Sequence, residues 1–270
     1  MTQQHSPDLE RRFGGLARLY GAEGAARIRA ARVAVVGIGG VGSWAAEALA
    51  RSGVGAITLV DLDNVAESNV NRQIHALTST LGQPKVEAMR QRIVLIHPGC
   101  EVHCVEDFAA PGNWPALLPA AVDGVIDACD QVHAKQALAA WALKTRKLFI
   151  TCGAAGGKRQ GERVEIADLA EVTHDPLMAA LRARLRQTGS MAKGGKDGRD
   201  RQARSGLHVV FSREAVTRPA ACGPQPGHDR NLNCHGYGSA VTVTATFGLV
   251  AAGWMLERLA QGRALQHPHT

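Results

Sequence analysis

The sequence predicts an α/β fold: a Rossmann-like, doubly wound, mostly parallel sheet with a C-terminal extension and a basic mobile insert. Three observations carry that prediction. Short β-branched runs alternate with helical segments through the first 152 residues. A G-x-G-x-x-G loop, Gly37-Ile38-Gly39-Gly40-Val41-Gly42, joins the first strand to the first helix after it. An acid, Asp61, ends the second strand. Alternation of this kind implies parallel pairing through right-handed crossovers.

The elements follow in order. RVAVV (32–36) is a strand, and a helical pattern occupies 41–52. AITLV (56–60) is the second strand. PKVEAMRQRIVLI (84–96) is helical, with Pro84 suited to a first turn. EVHCV (101–105), GVIDA (124–128) and LFITC (148–152) are further strands, with a helix over 131–145. VEIADL (164–169) and LHVVFS (207–212) are strands of the extension. Between them Asp175-Pro176 starts a helix that places Leu177, Leu181 and Leu185 on one face. AVTVTATFGLVAAGWML (240–256) has 17 residues and no charge. That is short for a bilayer span, and its threonines and small residues suit a helix buried on the sheet. We read 1–270 as a single unit, with a nucleotide-binding core at about 30–155 and a substrate-side region at about 156–270.

Composition narrows the function classes. Aromatic residues are 4% of the chain, which disfavours recognition of bases by stacking. The six cysteines form no C-x-x-C pair, and the N-terminus has no apolar run. These features predict reduced thiols in a cytoplasmic protein, without a structural zinc module. The net charge is +7, and residues 182–204 hold eight cations and two acids, so six of the seven net charges are local. Such a segment is either the footprint of a polyanion partner or a solvated loop. Lys193, Lys196, Arg199, Arg201 and Arg204 are its candidate polyanion contacts, with Lys158, Arg159 and Arg163 as the second choice.

The glycine loop allows a tight turn and lets backbone N–H groups approach a phosphate at a helix N-terminus. Asp61 stands where an acid accepts hydrogen bonds from ribose hydroxyls. Those features alone also suit a nicotinamide-dependent oxidoreductase. The next segment argues for ATP instead. Asp63, Asn69, Arg72 and Lys85 cluster beyond the second strand. A cationic pair such as Arg72 and Lys85 suits phosphate oxygens that gain charge in a transition state. Asp127 and Asp130, at the end of the fourth strand, stand where a Mg²⁺ ligand would complete the site.

GIGGVGS (37–43), DLDNVAESNVNRQ (61–73), GQPKVE (82–87) and DACDQV (127–132) together resemble the ubiquitin-activating-enzyme-like (ThiF/MoeB/HesA) superfamily. The resemblance implies ATP-dependent formation of an acyl-adenylate. It assigns Gly37, Gly39, Gly40, Gly42, Asp61, Asp63 and Asn69 to the nucleotide, Arg72 and Lys85 to its phosphates, and Asp130 to Mg²⁺. It also implies a homodimer. The family's R-Y-x-R-Q segment, which reaches the partner subunit's site, stands here as Arg12-Phe13-Gly14-Gly15-Leu16-Ala17-Arg18, with Arg18 as the replacement. The zinc-binding cysteine pairs and the downstream nucleophilic cysteine of the protein-activating members are missing, since 153–221 contains no cysteine.

RRFGGLARLYG (11–21), NRQIHAL (71–77), DPLMAALRARL (175–185) and VTATFG (243–248) resemble the tRNA-modifying members most closely. These members are implied to adenylate the threonyl carboxylate of the modified adenosine beside the anticodon. A group of the same side chain then attacks, giving a cyclic form with loss of water. Intramolecular attack needs activation and orientation, and no enzyme nucleophile. Adenylation of a ubiquitin-like sulfur-carrier protein is the alternative within the family, and a sulfur-relay partner stays open. A nucleotide-gated RNA-binding module without catalysis is the third reading. Cys222, His228, Cys234 and His235 share the 217–238 loop, and we read Cys234 as a packed thiol.

Overall fold

The computed structural model describes residues 7–191, 204–217 and 237–262. Among these residues seven strands form one sheet, β1 (Arg32–Val36), β2 (Ala56–Val60), β3 (Glu101–Val105), β4 (Gly124–Asp127), β5 (Leu148–Cys152), β6 (Val164–Asp168) and β7 (His208–Ser212). Their order is β3-β2-β1-β4-β5-β7-β6, all parallel except β6, which runs antiparallel to β7. From β1 the chain winds outward to β2 and β3, then returns to β4 and winds the other way. Ligands of such sheets bind at that reversal, outside the carboxyl ends of the strands. Here it places Gly37 beside Ala128 and Cys129.

Among the described residues six α-helices flank the sheet, α1 (Leu9–Ala30), α2 (Gly42–Arg51), α3 (Lys85–Ile96), α4 (Val132–Thr145), α5 (Pro176–Gln187) and α6 (Val241–Ala260). Alternate strand residues face opposite layers, as the period of two requires. Val33, Val35, Ile57, Leu59 and Ile126 pack with Leu49 of α2, Met89 of α3 and Phe247 of α6. Ala34, Val36, Val125, Phe149 and Phe211 pack with Leu138 of α4 and with Leu177 and Leu181 of α5. The apolar 240–256 run is therefore a buried helix, as expected. Among the described residues no helix is long and apolar enough to cross a membrane. Gly248 is what lets α6 lie against α2. A Cβ there would stand 2.3 Å from the Val41 carbonyl oxygen.

The structure adds α1, which the sequence pattern did not reveal. Gly21 at φ +75° breaks its helical run, so the apolar period is interrupted. Phe13 of α1 is buried against Gly53 and meets the His97 ring at 4.8 Å.

Candidate nucleotide site

The glycine loop is held from beneath. Gly37 is left-handed at φ +87°, and a Cβ on it would stand 2.9 Å from the Ala128 carbonyl and the Cys129 nitrogen. A Cβ on Gly42 would stand 1.8 Å from the Gly37 oxygen, so the loop closes only with glycine at both ends. A Cβ on Gly39 would meet only Gln73 Nε2, at 3.9 Å, so the surface above the loop is open. α2 begins there with no side-chain cap and no acid in its first turn. An uncapped helix start presents N–H groups to an incoming anion.

Asp61 is buried and accepts hydrogen bonds from Ile38 N at 2.6 Å and Asp63 N at 2.9 Å. Burial raises its pKa, and the Lys85 ammonium pulls it back down. The carboxylate thus ties the loop to β2, and its remaining lone pairs can accept from a ligand hydroxyl. Lys85 opens α3 and donates to Asp63 Oδ2 at 2.6 Å, with Asp61 Oδ1 3.8 Å away. The segment between them folds back on itself. Asn64 bridges Pro84, and Lys85 N donates to the Asp63 carbonyl at 2.9 Å. Asn69 is buried and caps the local turn by accepting from Ala66 N at 3.0 Å.

Arg72 lies over the loop. A Cβ on Gly40 would stand 3.2 Å from Arg72 Cγ, and Trp44 Nε1 of α2 donates to the Arg72 carbonyl at 3.0 Å. Its guanidinium donates to the Ser68 carbonyl and Asn71 Oδ1, and no acid pairs with it among the described residues. Glycine loop, Asp61, Asp63, Asn69, Arg72 and Lys85 therefore meet at one sheet edge, as the sequence predicted.

The two aspartates after β4 differ. Asp127 is fully buried, and Lys135 Nζ stands 3.1 Å from its Oδ2. Thr151 Oγ1 donates to the same oxygen at 2.7 Å, and Cys129 N and Sγ donate to Oδ1 at 3.2 and 2.9 Å. Asp127 is thereby committed to the interior, which corrects its reading as a metal ligand. Asp130 lies beyond it on the turn and is half-buried. Burial and the Asp127 charge push the Cys129 thiol well above its usual range. Lys135 escaped the sequence reading. Its one signal is a lysine within the stripe Ala134, Leu138, Ala139, Ala142, all buried.

A single carboxylate such as Asp130 fits Mg²⁺, which is commonly held by one or two carboxylates plus substrate phosphates rather than by a protein cage. Asp61 and Asp63 lie beside Lys85 at this edge, and Asp130 is on the turn after β4. A polyphosphate entering that field favours an accompanying divalent cation.

Other predicted positions fall elsewhere. Lys193, Lys196, Arg199 and Arg201 lie outside the described residues, as do Cys222, His228, Cys234 and His235. Arg204 pairs loosely with Glu171 at 3.8 Å, and Asp168 anchors the chain after it through Ser205 and Gly206. That anchor is at the amino-terminal edge of the sheet, away from the glycine loop. Lys158 is buried and donates to the Ser212 carbonyl at 2.8 Å, so it offers no surface contact, whereas Arg159 and Arg163 are exposed. Arg12 is engaged with the Ile96 carbonyl, and Arg18 is exposed on α1.

A doubly wound sheet with an uncapped glycine loop, a buried acid after β2 and neighbouring cations at its switch point defines an α/β protein of the nucleotide-binding kind. The ThiF family model matches residues 13–268, and the chain belongs to that family. It is 42% identical over 262 residues to the tRNA threonylcarbamoyladenosine dehydratase of Escherichia coli, covering 94% of this chain and 96% of the relative. Its identity to the protein of the same name from Haemophilus influenzae is 39%, covering 93% and 94%. The crystal structure of the E. coli dehydratase in complex with ATP superposes with a TM-score of 0.83 at 41% identity, covering 95% of this chain and 97% of that one.

Proposed function

We propose that this chain adenylates the threonyl carboxylate of N6-threonylcarbamoyladenosine beside the tRNA anticodon, then cyclises it with loss of water. The observation that carries this reading is the 42% identity to the E. coli dehydratase along nearly the whole of both chains. The switch-point geometry supports it independently.

In the first step a carboxylate oxygen attacks the α-phosphorus of ATP, an acyl-adenylate forms and pyrophosphate leaves. Gly39, Gly40 and the α2 N-terminus hold phosphate oxygens, with Gly37 and Gly42 shaping the turn. Asp61 receives the ribose hydroxyls. Asp63 and Asn69 set the segment that carries Arg72 and Lys85, which face the phosphates. Lys85 exchanges part of its contact with Asp63 for the ligand. Asp130 would hold Mg²⁺, which would supply neutralisation of phosphate charge. In the second step a nucleophile of the same side chain attacks the acyl carbon, and AMP departs with the former carboxylate oxygen. No nucleophile of the chain is required, and the thiols of half-buried Cys129 and buried Cys152 have pKa values pushed up by desolvation.

Activation of a sulfur-carrier protein is less well supported. The E. coli molybdopterin-synthase adenylyltransferase matches 49% of this chain at 36% identity. We read the protein as one adenylation unit working as a homodimer in the cytoplasm. Exposed Leu19, Val70, Leu77 and Leu249 supply apolar surface for subunit contact. Pyrophosphate release tests the reading. It should require Mg-ATP together with tRNA carrying the modified adenosine. Release with a carrier protein ending in Gly-Gly, and none with tRNA, would overturn it.

A further inference from the structure

The amino-terminal edge of the sheet, opposite the glycine loop, carries an open cleft of about 410 Å³. Ala31 precedes β1, Asp123 precedes β4 and Leu148 begins β5, which fixes the cleft at that edge. Arg27, Arg146, Lys147 and Arg258 line it, against the single acid Asp123. Nothing in the adenylation chemistry uses these groups.

Local structure accounts for part of this charge. α1, α4 and α6 all end at the cleft, and cations complement the partial negative charge of helix C-termini. Arg27 Nε donates to the Ala260 carbonyl at 2.7 Å, and Lys147 Nζ donates to the Val122 carbonyl at 2.8 Å. Asp123 is engaged with Arg32 N at 2.8 Å. Four cations against Asp123, the Glu23 carboxylate that pairs with Arg27 at 3.5 Å, and three helix ends of about half a charge each still leave roughly +0.5. The surplus sits on Arg146 and Arg258, which have no acidic partner among the described residues. Arg146 occupies a left-handed position at φ +57°, where glycine would be less strained. Arg258 lies over the Trp254 ring at 5.4 Å, and that ring lies tilted against His208 at 4.9 Å.

Beside the cleft, half-buried His208 feels Arg258 and Arg204, with the Asp168 carboxylate acting against them. Arg204 is the described residue that closes the basic 182–204 segment, and Asp168 fixes its neighbours at this same edge. At that root Arg204 faces Glu171, with Asp168 beside it, so the surplus positive charge is confined to the cleft. The sheet is only five residues deep, which at about 3.3 Å per residue separates its two edges by roughly 17 Å. An RNA presenting one nucleoside at the carboxyl edge reaches around that depth with its stem.

We propose that this cleft, centred on Arg146 and Arg258, binds backbone phosphates of the RNA substrate outside the modified nucleoside. The proposal rests on the tRNA reading above. Free phosphates share the same chemistry, so the experiment separates the two sources.

Arg146→Ser/Arg258→Ser in the full chain is compared with wild type for tRNA binding across salt concentrations. Loss of two phosphate contacts should flatten the slope of log affinity against log salt by about 1.4–1.8 and weaken binding roughly tenfold at moderate salt. With saturating Mg-ATP, KM for tRNA should rise and kcat should hold. Arg146→Lys/Arg258→Lys should recover most of the slope, because a phosphate accepts a point charge as well as a fork. Inorganic pyrophosphate binding by calorimetry should be the same in wild type and the serine variant. An unchanged salt slope in a folded serine variant overturns the proposal. So does loss of a pyrophosphate site with tRNA binding intact, which would make the ligand a free phosphate. Failure of wild type to bind tRNA at all would instead refute the substrate reading on which the proposal stands.

Discussion

Replacing Lys135 by methionine isolates the buried charge beneath the nucleotide site. Lys135 Nζ and Asp127 Oδ2 are 3.1 Å apart, and both side chains are fully buried. At an effective dielectric of about 20 the attraction is about 5 kcal/mol, against a desolvation penalty of several kcal/mol for each ion. The intact pair is therefore close to balanced, while a lone carboxylate is not. Removing one partner of such a pair costs about 3–5 kcal/mol. The Thr151 hydroxyl and the Cys129 amide still donate to Asp127, so Lys135→Met should fall at the lower end, near 3 kcal/mol. Asp127→Asn/Lys135→Met removes both charges and should recover at least about half of that loss. Urea denaturation of the wild type, both single variants and the double variant gives the coupling directly. Asp127 also orients the turn that carries Asp130, so Lys135→Met should lower turnover by about tenfold, as loss of a group supporting a metal ligand does. A cost under about 1 kcal/mol, or strict additivity in the double variant, would refute the reasoning.

Other perturbations have defined outcomes. Arg72→Ala or Lys85→Ala should preserve the fold and lower turnover by about 10²-fold or more, the scale of losing one preorganised charge contact; near-normal rates in both would place the phosphates elsewhere. His75 is buried with neither ring nitrogen hydrogen-bonded, and burial, Lys85 and Arg92 lower its pKa from 6.5 to about 4. Between those values the unfolded chain binds the extra proton, so stability is complete above pH 6.5 and declines by about 3 kcal/mol as pH falls to 4. His75→Leu should flatten that part of the denaturation profile, and an unchanged slope would exclude His75 as its source. Neutralising Lys193, Lys196, Arg199, Arg201 and Arg204 together should weaken tRNA binding and reduce its salt slope while leaving ATP affinity unchanged in calorimetry. Equal tRNA affinity and slope would make the segment a solvated loop.

The strands were legible because β-branched runs end in glycine or acid, and each observed strand lies within a residue or so of its predicted bounds. The cluster at the switch point was legible for a related reason. Gly37, Asp61, Lys85 and Asp130 each follow a strand or open a helix, and topology alone carries those positions to one edge. Helix α1 was not legible, because Gly21 breaks its period and its buried face is thin, with Phe13, Gly24, Ala25 and Ile28. The separate fates of Asp127 and Asp130 were hidden as well. Only the depth of Asp127, three residues closer to the core, and the reach of Lys135 from α4 distinguish them. Lys158 misled for the same reason: a lysine in a glycine-rich segment reads as solvated, yet here it satisfies the Ser212 carbonyl in the interior. Contacts between distant segments leave no local pattern in the chain.

The most direct test is mass spectrometry of nucleosides from tRNA bearing N6-threonylcarbamoyladenosine after incubation with the protein and Mg-ATP. The account predicts that this nucleoside is replaced by one lighter by a single water, with AMP and pyrophosphate formed in equal amounts. An unchanged nucleoside, in a preparation that binds both ATP and tRNA, would contradict it.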